Sequence, residues 1–287
     1  MSSFISVILY LVLAPFVGGL LEGADRIITA RMQGRVGPPL LQPFYDLGKL
    51  FSKQMIAVNN VQLLLNLSYL VFLAVAGSML FGGADILMCL FILSTGDMFL
   101  IMAASSDSSP FATMGASREM MQMMAYEPLT LLIAVGFYLA TGSFLVSEII
   151  TSPISPALSM PGMLLGFLFI TAIKLRKSPF DLSTSHHAHQ EMVKGLTTEM
   201  AGPTLAIMEI AEYYEKILLL GIVGLFIVNR SPASWPAAVA VCLLFYFLEI
   251  LWDNMSARVK WKTMLGSCWI VTLLAGGLNL LILMLIK

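Results

Sequence analysis

Residues 61–84 read VQLLLNLSYLVFLAVAGSMLFGGA and contain no charged side chain. A helix needs about twenty consecutive apolar residues to cross the hydrocarbon core of a bilayer, and this stretch supplies them. Three more uncharged stretches of similar length occupy residues 4–21, 128–147 and 263–286. Because helices satisfy all their backbone hydrogen bonds internally, these stretches predict an all-α, polytopic membrane protein.

The composition of the whole chain agrees with this prediction. Of its 287 residues, 58% are hydrophobic and 11% are charged, and the mean hydropathy is +0.88. A water-soluble domain carries about 25% charged residues, so that class is excluded. The formal net charge is −1 and no long basic run is present, which excludes nucleic acid as a partner. Cys89, Cys242 and Cys268 stand without CxxC spacing, so we expect no redox centre in this chain.

We expect eight transmembrane helices in a single integral membrane domain that covers residues 1–287. Lys174 and Arg176 lie at the end of the predicted span 160–176, and we expect their long side chains to extend to the membrane–water interface. The first stretch lacks the basic segment and cleavage site of a signal peptide, so it is predicted to be retained. The predicted spans are residues 4–21, 61–84, 86–105, 118–147, 160–176, 201–229, 231–252 and 263–286.

The positive charges predict the orientation of these helices. Positive charge accumulates in the cytoplasmic loops of membrane proteins. All Lys and Arg residues except Lys216, Arg230 and Lys287 fall in the alternate loops 22–60, 105–127, 174–200 and 253–262. We therefore expect these loops in the cytoplasm and both termini outside.

The first of these loops, residues 22–54, reads EGADRIITARMQGRVGPPLLQPFYDLGKLFSKQ. Arg26, Arg31 and Arg35 precede a turn at Gly-Pro-Pro, and residues 41–53 have the pattern of an amphipathic helix that lies along the membrane surface. One interpretation is that the arginines bind lipid phosphates and fix the topology. The other is that this loop forms the docking floor for a cytoplasmic partner.

The second loop leads into SREMMQMMAYEP, residues 117–128. We expect Pro128 to break the local backbone hydrogen bonds at membrane depth. Glu127 stands directly before it, and a carboxylate beside an irregular helix suits an ion path because freed carbonyls and water can solvate it. Glu127 is therefore a candidate for ion translocation.

The third loop and the helix after it, residues 179–216, hold an unusual load of acids. Glu209, Glu212 and Lys216 fall at i, i+3 and i+7, so they share a helix face that must point away from lipid. A carboxylate in such low dielectric binds a proton readily, which favours proton transfer. The alternative is a static Glu212–Lys216 pair that ties helices together.

His186, His187 and His189 lie in the same loop. An HHxH pattern without a distant partner ligand is weak evidence for a metal site. Their alternative role is to titrate near neutral pH as surface proton acceptors.

A last charged cluster lies at the end of the seventh span. Glu249 and Asp253 are four residues apart, and Arg258 follows as their candidate counter-ion.

Seven motifs in this order resemble one family. They are QGRVGPPLLQPFYDLGKL (33–50), YEP (126–128), PFDL (179–182), EMVKG (191–195), TEMAG (198–202), AEY (211–213) and DNMSAR (253–258). The pattern is similar to the complex I subunit 1 family, the membrane subunit that docks the quinone-reducing module. The long spacer STSHHAHQ after PFDL more closely resembles the group 4 energy-converting, Ech-type nickel–iron hydrogenases.

The resemblance implies a non-catalytic membrane anchor in a prokaryotic cytoplasmic (inner) membrane. Its implied partners are the hydrogenase large and small (iron–sulfur) subunits, an antiporter-like membrane subunit, membrane lipid and, through the complex, ferredoxin. The nickel–iron centre and iron–sulfur clusters belong to those partners, and no cofactor is expected in this chain. The complex would couple ferredoxin-linked hydrogen chemistry to proton or sodium translocation.

The resemblance also implies roles for individual residues. The implied ion-translocating residues are Glu127, Asp181, Glu191, Glu199 and Glu212, to which the helix-face argument adds Glu209 and Lys216. The implied docking loop contains Arg26, Arg31, Arg35 and Asp46, and Arg118 is added beside it. The first alternative is a quinone-cavity subunit of a complex I-like NADH/quinone oxidoreductase. A stand-alone secondary transporter ranks last because the sequence shows no two similar halves.

Overall fold

The computed structural model describes residues 3–55, 60–184 and 194–286. In these ranges the regular structure is helical, apart from one isolated bridge between Asp85 and Leu145. The predicted all-α, polytopic membrane fold is confirmed. The α-helices are α1 (Ser3–Met32), α2 (Gln42–Ser52), α3 (Asn60–Gly82), α4 (Ile86–Ser105), α5 (Pro110–Thr141), α6 (Val146–Ile150), α7 (Pro156–Ser159), α8 (Pro161–Lys174), α9 (Pro203–Ile227), α10 (Ser234–Met255), α11 (Trp261–Val271) and α12 (Leu278–Ile286).

Among the described residues, six helical segments are long and apolar enough to cross a membrane. They are α1, α3, α4, α5, α10 and the continuous run Trp261–Leu285, in which a π-helical segment, Thr272–Gly277, joins α11 to α12. The other two predicted spans coincide with α8, which has 14 residues, and α9, which carries four charged side chains. The count of eight spans stays a prediction.

Two long helices extend beyond the predicted spans. α1 continues past residue 21 to Met32, so the expected start of the first loop is helical. α5 begins at Pro110 and runs through Pro128 to Thr141. The expected break at Pro128 does not interrupt the helix, because proline removes only one backbone donor and the neighbouring bonds remain.

Helix α9 lies inside the bundle and contacts α1, α3 and α10. Its backbone approaches α1 closely at Gly18, where an added Cβ would stand 2.6 Å from the carbonyl oxygen of Tyr213. Only a residue without a side chain permits this approach. The charged residues of α9 are therefore held against α1 and α3, away from the lipid.

Two segments pack on the loop end of the bundle. The predicted amphipathic helix is confirmed as α2, which lies against α1 and α9, with Phe44 packed over Gly19. A short 3₁₀ turn, Gly195–Thr197, packs on α5 at Gly115. Helix α2 and the 3₁₀ turn therefore lie at the end of the helix bundle where the basic loops are.

The chain turns sharply where α8 ends. Arg176 has a φ of 51° and its N–H donates to the carbonyl oxygen of Ile173 at 3.0 Å. A positive φ is uncommon for a residue with a side chain, so tertiary contacts hold this turn. Lys174, Arg176 and Lys177 are all buried, and the turn places them inside the bundle.

Candidate functional site: a buried charge network

The deepest part of the site is an inner cluster of five side chains: Asp97, Lys174, Glu215, Tyr69 and Tyr126. The Nζ atom of Lys174 lies 2.6 Å from Asp97 Oδ2 and 3.1 Å from Glu215 Oε1. Tyr126 donates its hydroxyl hydrogen to Asp97 Oδ2 and Tyr69 donates to Glu215 Oε2, each at 3.1 Å. Helices α4, α8, α9, α3 and α5 each contribute one member. One ammonium therefore faces two carboxylates in a buried place.

Arg176 forms a bridge next to the inner cluster. Its Nη2 lies 3.0 Å from Glu119 Oε1 on α5, and its Nη1 lies 2.8 Å from Glu212 Oε1 on α9. A guanidinium keeps its charge and holds two carboxylates through its fixed fork. The bridge therefore fixes α5 and α9 to the turn after α8.

Lys177, on the same turn, connects α1 and α10. Its ammonium contacts Asp25 on α1 and lies 3.9 Å from Asp253 Oδ2 on α10. The backbone N–H of Ser178 also donates to Asp253 Oδ1 at 2.8 Å. Lys177 thus ties the turn after α8 to two further helices.

An outer set of pairs extends the network to the amphipathic helix. Lys216 on α9 contacts Glu22 on α1, and Glu22 Oε1 lies 3.3 Å from Arg26 Nε. Arg26 Nη1 lies 2.8 Å from Asp46 Oδ2 on α2. Burial alone would raise the pKa of Asp46, but hydrogen bonds from Arg26 and Gln42 outweigh it and hold that pKa below its ordinary value.

A cavity of about 600 Å³ lies between these groups. At about 30 Å³ per molecule, such a volume holds roughly twenty waters. Its charged lining comprises the acids Glu22, Asp25, Asp181, Glu209, Glu212, Glu215 and Asp253 and the bases Arg26, Lys174, Arg176, Lys177, Lys194 and Lys216. The cavity is therefore a polar chamber bordered by the ion pairs.

The structure brings several predicted site residues together at this cavity. Arg26, Asp181, Glu209, Glu212 and Lys216 line it. Asp46 joins them through its ion pair with Arg26. These residues come from distant parts of the chain.

Other predicted site residues lie elsewhere. Glu127 is part-buried on α5 and is not among the described lining residues of the cavity, and Glu199 is part-buried in the segment before α9. Arg31 and Arg35 are exposed, and Arg35 borders a shallow pocket beside Pro38. Arg118 donates to the carbonyl oxygen of Leu182 at 3.3 Å. Glu191, His186, His187 and His189 lie outside the described residues.

Three local interpretations of the sequence are wrong. Lys174 and Arg176 do not extend to the interface, because buried carboxylates bind them inside the bundle. Glu212 does not pair with Lys216, since Glu212 bonds to Arg176 and Lys216 to Glu22. Arg258 lies 3.3 Å from Asp181 Oδ1, so it is a counter-ion of Asp181 and not of the acids on α10.

Sequence patterns did not predict several members of the network. Asp97, Glu119, Lys177 and Asp25 had no predicted role, yet all four form ion pairs. The available signal was the presence of an ionisable residue inside an apolar segment, which is costly in a membrane unless the residue is paired or functional. Among the described residues, no group of three or more His, Cys, Asp or Glu side chains could hold a metal ion.

Comparison with known proteins gives the family. The sequence model of the NADH dehydrogenase family matches residues 5–284. The chain therefore belongs to the NADH dehydrogenase family.

Individual relatives cover nearly the full chain. Hydrogenase-4 component C of Escherichia coli (strain K12) is 29% identical over 274 residues, which cover 90% of this chain and 85% of the relative. Formate hydrogenlyase subunit 4 of the same organism is 29% identical, covering 85% and 87%. A subunit of the NADH-quinone oxidoreductase of Rhodospirillum rubrum is 28% identical, covering 93% and 91%.

A solved structure shares the fold. It is the structure of the membrane-bound sulfane sulfur reductase, an archaeal respiratory membrane complex. One of its chains superposes with a TM-score of 0.86 at 18% identity, over 99% of this chain and 100% of that chain. The helix arrangement described above is thus found in a respiratory membrane complex.

Proposed function

We propose that this chain is the membrane subunit of an energy-converting hydrogenase complex. The chain anchors a cytoplasmic module whose large and small subunits carry the nickel–iron centre and the iron–sulfur clusters. It couples ferredoxin-linked hydrogen chemistry in that module to translocation of protons or sodium ions. The names of the two Escherichia coli relatives, a hydrogenase component and a formate hydrogenlyase subunit, support this choice. The relatives as a group support a membrane subunit of a hydrogenase or complex I-like complex.

One observation carries the proposal: ion pairs form a nearly continuous row from the amphipathic helix to the inside of α4. The row begins at Asp46, passes Arg26, Glu22 and Lys216, and ends at Asp97. On α9 the row passes from Lys216 to Glu215, which are adjacent in sequence. Glu215 pairs with Lys174, and Lys174 pairs with Asp97. Such a row is expensive to bury, so its presence in a membrane protein indicates ion movement.

The row can convert a charge change outside the membrane into movement of an ion inside it. When the partner module takes up or gives up an electron at the cavity mouth, the potential at the cavity changes, and the protonation of nearby carboxylates follows. Moving one charge against ~100 mV takes about 2.3 kcal/mol. A change of one to two pKa units in coupled carboxylates, each unit worth about 1.4 kcal/mol, supplies this.

The residues divide by chemistry into fixed and mobile charges. Arg26 and Arg176 keep their charge at all relevant pH values, so they position the acids. In this proposal the carboxylates that line the cavity exchange protons or bind the transported ion. Asp181, Glu209 and Glu212 receive the proton or ion from the cavity, with Lys216 as their counter-charge. The inner cluster receives the proton or ion next. Glu127, Glu191 and Glu199 stay predictions of the resemblance.

The loop end supplies the docking surface in this proposal. Arg31 and Arg35 are exposed there, and α2 exposes Tyr45 and Phe51 on its surface. Exposed cations beside exposed aromatic rings suit a protein partner with an acidic rim. The hydrogenase subunits would sit on this surface, and an antiporter-like membrane subunit would contact the lipid-facing helices. The chain would lie in a prokaryotic cytoplasmic membrane with both termini outside.

A quinone-cavity subunit is the second candidate, favoured by the similarity to the quinone oxidoreductase of Rhodospirillum rubrum. The cavity volume of about 600 Å³ would admit a quinone head group. Sites for organic molecules are lined mainly by apolar and aromatic side chains, however. Charged residues dominate the lining here, which favours water and ions as the occupants.

Purification of the complex tests the proposal. The complex would be isolated in mild detergent through a tag on this chain, and its subunits and metals would be analysed by mass spectrometry. We expect a hydrogenase large subunit with nickel and iron. Iron and flavin without nickel would support the quinone candidate instead, and a chain isolated without partners would contradict both.

A further inference from the structure

A second row of buried polar side chains extends from the inner cluster along α3. Gln62, Asn66 and Tyr69 are four and three residues apart, so they share one face of the helix. Their exposed fractions are 2%, 0% and 0%. We call these three residues the α3 stripe. Polar side chains buried on one face of an apolar helix indicate a function beyond packing, because an apolar residue would fill the same space at lower cost.

The α3 stripe joins the loop end of the bundle to the inner cluster. At the loop end, Gln62 Nε2 donates a hydrogen bond to Asp107 Oδ2, in the connection between α4 and α5. At the other end, Tyr69 donates to Glu215 Oε2 at 3.1 Å. The rise from Gln62 to Tyr69 along the helix is about 10 Å, at ~1.5 Å per residue. The described lining of the cavity includes neither Asn66 nor Asp107, so this connection is separate from it.

Two buried oxygens along the connection have no hydrogen-bond partner among the described residues. They are Asn66 Oδ1 and Asp107 Oδ1. The amide nitrogen of Asn66 makes only a 3.6 Å contact with the sulfur of Met200. A buried polar atom without a protein partner is costly, and internal water commonly satisfies it. Each of the two oxygens therefore offers a hydrogen-bond acceptor to an internal water.

We propose that the α3 stripe holds a chain of water molecules that carries protons between Asp107 and Glu215, as a second path to the inner cluster. The proposal rests on the proposed function and adds a specific path to it. The carboxylate of Asp107 takes up a proton and passes it to the bound water. The Tyr69 hydroxyl gives its proton to the Glu215 carboxylate and receives one from the water on its other side. Only O–H bonds change: the hydroxyl is restored and Glu215 becomes a neutral acid.

The chemistry of the connection suits protons. Asp107 is 6% exposed, and burial together with the nearby carboxylate of Glu199 raises its pKa. It therefore holds a proton more readily than a surface aspartate does. The amide of Asn66 and the phenol of Tyr69 both form hydrogen bonds with water, as a proton-conducting water chain requires.

The first test removes the polar group of Asn66 in the intact complex. Asn66→Leu keeps the side-chain size, and Ser68→Ala is the matched control, because the Ser68 hydroxyl bonds only within its own helix, to the Leu64 carbonyl oxygen at 2.9 Å. Asn66→Leu removes the amide that holds the water between Asp107 and Tyr69. Because the cavity path stays open, we expect Asn66→Leu to slow proton uptake into sealed vesicles by about twofold, the share of one of two equal paths. An unchanged rate in an assembled Asn66→Leu complex overturns the proposal.

A second test detects the water without relying on transport. The variants Asn66→Cys and Leu73→Cys are made in a chain whose three native cysteines are replaced by alanine. Leu73 is the control, because it is 0% exposed and lies one helical turn beyond the α3 stripe. Ag⁺ binds thiolate, which forms only where water reaches the thiol. We expect Asn66→Cys to bind Ag⁺ and Leu73→Cys to stay unreactive. An unreactive Asn66→Cys contradicts the α3 water chain, whereas a complex without coupled transport but with a reactive Asn66→Cys contradicts only the proposed function.

Discussion

Replacing Lys174 by methionine removes the ammonium that balances two buried carboxylates. Lys174, Asp97 and Glu215 are 5%, 4% and 3% exposed, and both acid–base distances are 3.1 Å or less. Removing one partner of a buried pair costs about 3–5 kcal/mol, because the remaining charge is buried without compensation. Two carboxylates remain here without a cation. We expect Lys174→Met to lower the free energy of unfolding by about 3–5 kcal/mol.

The assay is unfolding of the detergent-solubilised chain by titration with a denaturing detergent, followed by circular dichroism. Lys49→Met is the matched control, because the Lys49 side chain is 70% exposed and lies 3.8 Å from Asp46. An exposed pair contributes about 0–1 kcal/mol, so this variant should change stability little. The triple variant Lys174→Met, Asp97→Asn and Glu215→Gln should recover a large part of the loss, since no unpaired charge then remains in the inner cluster.

Equal stability of Lys174→Met and Lys49→Met would contradict the burial of the Lys174 ion pairs. It would mean that water reaches the inner cluster freely and that its ion pairs are not buried in solution. A triple variant less stable than Lys174→Met alone would show that Asp97 and Glu215 are needed for packing rather than for charge balance.

Two further predictions concern the close contact between α1 and α9 and the outer end of the row. Gly18→Ala should lower the free energy of unfolding by about 1–3 kcal/mol, because the added Cβ would overlap the Tyr213 carbonyl. The control is Gly266→Ala, because no atom lies within 4 Å of a Cβ added there. Equal unfolding free energies of the two variants would contradict the close contact at Gly18. Because the pKa of Asp46 is lowered in the folded chain, its bond to Arg26 should stabilise the fold fully above the ordinary aspartate pKa and lose this effect as the pH falls through the lowered value. A stability difference between the natural chain and Asp46→Asn that persists at the lowest pH would contradict this.

The membrane fold could be predicted because uncharged runs such as residues 61–84 have few alternatives to a membrane helix. The position at which α1 ends could not be predicted. Residues 22–32 contain Glu22, Asp25 and Arg26, which resemble a loop in sequence. In the structure these residues are helical because Lys216, Lys177 and Asp46 pair with them.

The buried network was only partly predictable because its partners are far apart in sequence. The Lys174–Asp97 and Lys174–Glu215 contacts join residues separated by 77 and 41 positions. Helical spacing shows that Glu212 and Lys216 share a face, but it does not show which helix faces them. Tertiary partners replaced the local pair, since Arg176 and Glu22 lie opposite.

In the proposed function, the acids at the cavity couple redox chemistry in the partner subunits to ion movement. The most direct measurement is the number of ions taken up per hydrogen molecule formed, in vesicles that contain the complex with Glu212→Gln. The control is Glu148→Gln, an exposed acid on α6 outside the described lining of the cavity. We expect Glu212→Gln to abolish ion uptake while hydrogen formation from an artificial donor continues, and Glu148→Gln to leave both unchanged. An unchanged ratio in Glu212→Gln would contradict the account.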